Sequence, residues 1–113
     1  MYSGYIIELS HKLANALYDK YRAKYRGKRD RESAIERSVR AIADALIKFP
    51  THDTLMARIC SELKDIEGGK LKDILDVIEK LGEVEDPEFY TRLAINIPYL
   101  VMGYVKAGGG ESE

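Results

Sequence analysis

The sequence has few of the residues that cross-link a chain or direct it to a membrane. It contains one cysteine among 113 residues, which excludes an internal disulfide. The opening stretch MYSGYIIELSHKL has no basic segment followed by a long apolar run, so we expect neither secretion nor membrane insertion and predict a cytoplasmic protein. Glutamine is absent and asparagine occurs twice, a composition typical of thermophile proteins.

The sequence also lacks the groupings that carry chemistry. His11 and His52 have no second ligand three or four positions away, so we expect surface histidines and no metal site. Cys60 shares a predicted inner helix face with Met56 and Leu63, where a thiol acts as a small hydrophobic group. The acid pairs lack the spacing of a calcium loop. We therefore predict a protein that is not an enzyme and uses no cofactor.

What is present is the composition of one folded domain. Hydrophobic residues make up 45% and charged residues 33% of the chain, which is a globular composition with a strongly ionised surface. The length allows one core and no separate second domain. We predict a single helical domain over residues 1–107 and a disordered glycine-rich tail over residues 108–113.

Hydrophobic periodicity predicts an all-α protein, a compact bundle of about five helices without strands. The first helix reaches about Gly27, and the second starts at a capping box of Ser33 and Glu36 and stops at Pro50. The others are predicted near residues 53–66, 70–82 and 87–105, with Asp86 as the cap of the last. The predicted inner positions are Ile6, Ile7, Leu13, Ala14, Leu17, Tyr21, Tyr25, Ile35, Val39, Ile42, Leu46, Phe49, Leu55 or Met56, Ile59, Cys60, Leu63, Ile66, Leu71, Ile74, Leu75, Ile78 and Leu81.

The last predicted helix is far more apolar than the others. Between Phe89 and Val105 its only charge is Arg92, so this helix is either surrounded by the other four or partly covered by another subunit. Pro98 lies inside it and removes one backbone donor, which predicts a kink or a break near this residue.

The net charge of -1 conceals a separation of charge along the chain. Residues 1–52 carry 11 basic and 6 acidic side chains, and residues 53–113 carry 7 basic and 13 acidic ones. This separation predicts two kinds of neighbour, one polyanionic and one basic. Alternatively, the charged side chains only lie on solvent-exposed faces and bind no partner.

The densest positive charge lies in the stretch KYRAKYRGKRDR, residues 20–31, with seven bases and one acid. On a helical projection, bases border the apolar stripe on both sides, which suits a grip on a phosphate backbone. Tyr18, Tyr21 and Tyr25 either stack on exposed bases or belong to the core, and we favour the core. Gly27 is expected to turn the chain so that Lys28, Arg29 and Arg31 extend from a loop. The predicted nucleic-acid-binding residues are Lys20, Arg22, Lys24, Arg26, Lys28, Arg29, Arg31, Arg37 and Arg40.

A winged helix-turn-helix is the rival use of the third and fourth helices. The exposed side of the fourth helix would present Asp73, Asp76 and Glu79, and carboxylates repel phosphates. The acidic side is better suited to a basic protein neighbour.

Two stretches, ADALIKFPTHDTLMARICSEL and LKDILDVIEKLGEVEDPEFYTRLAINIPYLVMGYVKAGGG, resemble parts of the small helical subunit of CRISPR effector complexes. The first is similar to the turn between central helices in the archaeal form. The second is similar to the final two helices of a related subunit. The resemblance covers about two thirds of the chain and rests on pattern without a diagnostic motif.

The resemblance implies a non-catalytic protein of antiviral defence, present in several copies. Such a subunit contacts the displaced DNA strand or the guide–target duplex through basic side chains, and other subunits through its opposite face. We therefore expect RNA or single-stranded DNA and other effector subunits as partners, and a possible homo-oligomer. The alternative is a helical adaptor or self-associating bundle that binds no nucleic acid and uses its last helix as a dimer seam.

Overall fold

The computed structural model describes residues 3–66, 68–82 and 84–108. Within these ranges the chain forms five α-helices and no strand, which confirms the predicted all-α bundle. None of the helices found there has the length and apolarity needed to cross a membrane. Residues 109–113, most of the predicted tail, lie outside the described residues. The helices are α1 (Ser3–Arg22), α2 (Lys28–Lys48), α3 (His52–Glu62), α4 (Lys70–Lys80) and α5 (Pro87–Lys106).

The five helices share one hydrophobic core. Helix α5 packs mainly against α1 and α2, α4 packs against α1, and α3 packs against α2. Tyr90 of α5 is 1% exposed and its hydroxyl donates to the carbonyl oxygens of Leu81 and Val84. These bonds fasten the start of α5 to the chain that follows α4, because buried polar groups require partners.

The junction between α1 and α2 differs from the prediction. Helix α1 ends at Arg22, where we expected about Gly27, and the amide of Tyr25 closes the following turn on the carbonyl of Tyr21 at 2.9 Å. Helix α2 begins at Lys28, so the predicted capping box at Ser33 is wrong. Gly27 occupies the N-cap in an extended conformation. The residues after it include strong helix formers, and Asp30 complements the positive end of the dipole in the first turn.

The later helix ends follow the prediction more closely. Thr51 caps α3 by accepting from the amide of Thr54, and Asp86 caps α5 by accepting from that of Glu88. Helix α3 ends at Glu62, four residues before the predicted Ile66. Gly68, in the turn before α4, has φ of 75°, the left-handed conformation that glycine adopts most readily.

Most predicted inner positions are buried, but several are not. Ile7 and Phe49 are 60% and 66% exposed, and Phe49 is the C-cap residue that follows the last turn of α2. Leu71, Leu75, Met56 and Cys60 are half-buried, and Val77, which was not predicted to face inward, is buried beside Ile74 and Ile78.

Helix α5 is not fully surrounded by the other four helices, so the first of the two predicted alternatives is wrong and cover by another subunit stays a prediction. Ile95 and Tyr99 remain 64% and 81% exposed on its outer side. The helix continues without a break through Pro98, and the kink stays a prediction.

Candidate nucleic-acid interface

The α1–α2 junction carries a cluster of exposed cations, which we call the basic ridge. It consists of Lys24, Arg26, Lys28 and Arg29 around the turn, with Arg37 from two turns further along α2. All five side chains are exposed. Lys24 and Arg37 line one shallow hollow, so the two parts of the ridge adjoin.

No carboxylate of the described residues lies within ion-pair distance of any of these five cations. Other exposed bases of the molecule do have such partners. Arg92 lies 2.8 Å from Glu88, and Lys72 lies 3.1 Å from Asp76. The cations of the ridge therefore keep their charge available to a ligand.

The structure corrects the expectation that Lys28, Arg29 and Arg31 extend from a loop. All three lie in the first turns of α2. A helix N-terminus carries partial positive charge from its backbone, and bases there are unfavourable by about 0.3–1 kcal/mol each. Lys28 and Arg29 are thus placed against the preference of their own helix, and the helix adds to the positive potential of the ridge.

Arg31 differs from the other predicted residues because its side chain is half-buried. Its Nη1 donates to the carbonyl oxygens of Tyr25 at 3.2 Å and Arg26 at 2.7 Å. The guanidinium also lies 5.6 Å from the centre of the Tyr18 ring. These contacts hold the α1–α2 turn, so Arg31 supports the ridge from beneath.

Lys20 and Arg22 lie beside the ridge in a region of mixed charge. The ammonium of Lys20 donates to the carbonyl oxygen of Glu62. Asp19 approaches Arg22 at 4.0 Å and Lys70 at 2.6 Å. Because these groups face carboxylates and carbonyls of the same molecule, they contribute less free charge than the five cations of the ridge.

Arg40 belongs to a different surface. Its Nη2 lies 2.9 Å from a carboxylate oxygen of Glu36, and it lines a groove between α2 and α5. The structure therefore does not bring Arg40 to the basic ridge.

Two tyrosines line the hollow that joins the parts of the ridge. This hollow has a volume of about 300 Å³. The Tyr21 hydroxyl lies 2.8 Å from the Ser38 hydroxyl, and Tyr25 stands 5.9 Å from Tyr21, centre to centre. Tyr18 is only 7% exposed and is a core residue. The hollow is lined by Tyr21, Lys24, Tyr25, Ala34, Arg37, Ser38 and Glu62.

Sequence reasoning did not find Ser38 as a member of this hollow. Ser38 is 4% exposed and lies within the apolar stripe of α2, between Ile35 and Ile42. A polar residue at an inward position needs a hydrogen-bond partner. That position is a sequence signal of a buried polar contact, and the structure shows that the partner is Tyr21 of α1.

The histidines occupy two environments. His11 is exposed and packs edge-on against Tyr104, with 4.2 Å between ring centres. His52 is half-buried, and its Nε2 donates to the carbonyl oxygen of Ile78 at 3.1 Å. His52 therefore joins α3 to α4, contrary to the expected surface position. Within the described ranges, no three His, Cys, Asp or Glu side chains are grouped as metal ligands would be.

The outer side of α4 is acidic, as predicted, and its charges interact locally. Asp73, Asp76 and Glu79 are exposed, as is Lys72. The hydrogen bond that Lys72 donates to the Asp76 carboxylate, with the negative charge of Asp76, raises the pKa of Lys72 above its ordinary value of 10.5, and Asp73 and Glu79 add to the shift. This side presents negative charge on a helix separate from those that carry the ridge.

Comparisons with known proteins found no relative: no family model, no curated protein and no solved structure matches the chain.

Proposed function

We propose that this chain is a non-catalytic protein that binds the backbone of single-stranded nucleic acid through the basic ridge. The proposal depends mainly on one observation: five exposed cations lie around one helix junction without a carboxylate of the described residues in ion-pair distance. Phosphates provide the missing negative charge, and binding releases their counterions.

The arrangement favours backbone contact over reading of base sequence. Four of the five cations surround a turn, so no single helix presents a row of polar side chains to a groove. Tyr25 is half-buried beside Lys24 and Arg37, where its ring can stack on one unpaired base. Stacking on aromatic rings tolerates any base, so the expected binding is indifferent to sequence.

We propose more specifically that the chain is a small subunit of an archaeal, RNA-guided CRISPR effector complex. The resemblance of the central turn and the last two helices supports this assignment, as does the all-α bundle. In that setting the ridge would hold the displaced strand or the guide–target duplex, and the acidic side of α4 would face a basic neighbour in the assembly.

Fluorescence anisotropy with labelled single-stranded DNA and RNA tests the binding. The double variant Arg26→Gln/Arg29→Gln should bind more weakly. Its dependence of log affinity on log salt concentration should be shallower by about 1.4, because each lost phosphate contact to a single strand removes about 0.7. Tyr25→Ala should weaken binding with little change in that slope.

The matched control is Arg40→Gln/Arg92→Gln, which removes the same charge from two exposed arginines with carboxylate partners. It should bind like the unmodified chain. Equal losses in both double variants would show that only net charge matters and would overturn the assignment of the site.

The CRISPR assignment has a separate test. Affinity purification of the tagged chain from its source, without added nuclease, should recover further subunits and a guide RNA of defined length. Recovery of the chain with mixed nucleic acid alone would contradict the CRISPR assignment and leave the ridge as a general backbone-binding surface.

A further inference from the structure

A second surface of the molecule lies between α2 and α5, and its charge and shape differ from those of the ridge. A groove of about 650 Å³ runs between the two helices. Ile47, Ile95 and Tyr99 line it and are 56%, 64% and 81% exposed. Apolar side chains of this size, adjacent and open to solvent, are typical of an interaction surface.

The two helices that form this groove run in opposite directions. Pro50 at the end of α2 and Pro87 at the start of α5 line a common hollow, so the C-terminal end of α2 lies beside the N-terminal end of α5. Asp44, late in α2, is therefore near one end of the groove. Lys106, the last residue of α5, is at the other end.

The exposed side of α5 combines a protrusion with a notch. Ile95, Tyr99 and Gly103 follow one another at intervals of four residues and form one row along the surface of α5. Tyr99 protrudes from this row, whereas a Cβ built on Gly103 would meet no atom within 4 Å. A tyrosine side chain and a bare stretch of backbone are thus neighbours on the same face.

The charges along the groove are balanced. Glu36 and Arg40 form an ion pair at 2.9 Å. Asp44 and Lys106 are exposed, and neither has an ion-pair partner among the residues that the structure describes. A polyanion would gain little binding energy here, because a partner that carries charge of only one sign would be repelled by half of the charged side chains. A surface with one unpaired acid and one unpaired base at opposite ends is complementary to itself.

We propose that this groove binds a second copy of the chain across a two-fold axis. Tyr99 of each copy enters the notch at Gly103 of the other, and Lys106 of each copy approaches Asp44 of the other. A two-fold axis through the middle of the groove brings the opposite ends together, so every contact occurs twice. The rows of Ile95, Tyr99 and Gly103 can interdigitate as in other helix pairs that cross at about -50°.

Sedimentation velocity over a range of protein concentrations tests the proposal. The unmodified chain should change from monomer to dimer as concentration rises. Ile95→Glu should raise the dissociation constant at least tenfold, roughly the effect of losing one buried apolar contact at an interface. Ile7→Glu is the matched control, because Ile7 is 60% exposed on α1 and does not line the groove; it should leave the dissociation constant unchanged.

Three further substitutions separate loss of association from loss of folding. Gly103→Gln fills the notch without a clash in the monomer, so its melting temperature should be unchanged or higher while dimerisation weakens. Asp44→Lys and Lys106→Asp should each weaken the dimer, and the two together should restore it. A chain that stays monomeric at all concentrations, or dimers that survive both Ile95→Glu and Gly103→Gln, would overturn the proposal.

Discussion

Two arginines at the start of α2 show how different the roles of neighbouring bases are. Arg29 is exposed, whereas Arg31 is half-buried and donates to the carbonyl oxygens of Tyr25 and Arg26. Both were predicted to contact nucleic acid, since a sequence shows charge and does not show where a long side chain ends. The structure gives Arg31 a task in folding and leaves Arg29 available for a ligand.

Arg31→Ala should destabilise the chain by about 1–3 kcal/mol, because hydrogen bonds from a charged donor are lost at a partly buried turn. Thermal unfolding followed by circular dichroism measures this, with an expected fall in melting temperature of at least about 4 °C. Arg29→Ala is the control of equal charge and should change stability by less than about 0.5 kcal/mol. Equal effects of the two changes on stability would contradict the role given to Arg31.

At the scale of the element, α2 has a base at each end. The helix dipole disfavours the base at the N-terminal end and favours the one at the C-terminal end. Lys28 opens the helix and Lys48 closes it, and both are exposed. Lys28→Glu should stabilise the chain by about 0.3–1 kcal/mol, and Lys48→Glu should destabilise it by a similar amount. Chemical denaturation at low salt provides the measurement.

The same pair of variants tests whether Lys28 serves binding at a cost to stability. Lys28→Glu should weaken nucleic-acid binding although the protein becomes more stable, and Lys48→Glu should bind normally. If Lys28→Glu gained stability and kept full affinity, Lys28 would have no place in the interface.

A charge pair on α4 predicts how the stability of the protein depends on pH. The pKa of Lys72 is raised by its bond to Asp76, so the folded state holds this proton more tightly than the unfolded state. The resulting stabilisation is complete below the ordinary pKa of 10.5 and is lost as pH rises through the higher folded value. NMR titration of the Lys72 side chain should show the raised pKa. Asp76→Asn should return it towards 10.5, and Asp73→Asn should lower it less.

Periodicity and end signals predicted the existence of all five helices, because each has an apolar stripe that a core must cover. They were correct for the cap at Asp86 and for the exposed acids of α4. They failed at the α1–α2 junction, where Ser33 and Glu36 have the spacing of a capping box but lie inside α2. Gly27 can adopt the extended cap conformation without a side-chain bond, and Lys, Arg and Glu extend a helix well.

The candidate site was predictable as a region but not as a set of residues. The block of bases was visible in residues 20–31, yet Lys20, Arg22 and Arg31 meet partners that only the packed structure brings near. Arg37 joins the ridge because the packing of α2 against α1 brings it beside Lys24. Such contacts join residues distant in the chain, and local sequence patterns do not encode them.

At the scale of the whole molecule, the two proposed surfaces involve different parts of α2. The ridge gathers free positive charge at its start, and the groove with α5 is apolar with balanced charge. The longest dimension of one copy is 40 Å. Two copies joined through their grooves would carry two ridges no further apart than twice that length, which a long nucleic acid can bridge.

A two-fold dimer should therefore bind long strands more tightly than short ones. Once one ridge is bound, the second acts at a high effective concentration, and affinity rises by about 10²–10⁴ when the strand spans both sites. We expect this gain for an oligonucleotide of about 40 nucleotides and not for one of about 8. Ile95→Glu should abolish the gain while leaving affinity for the short strand unchanged, since Ile95 lies outside the ridge. The same gain in unmodified chain and Ile95→Glu would show that the two surfaces do not act together, because the extra affinity would then come only from additional binding sites along the strand.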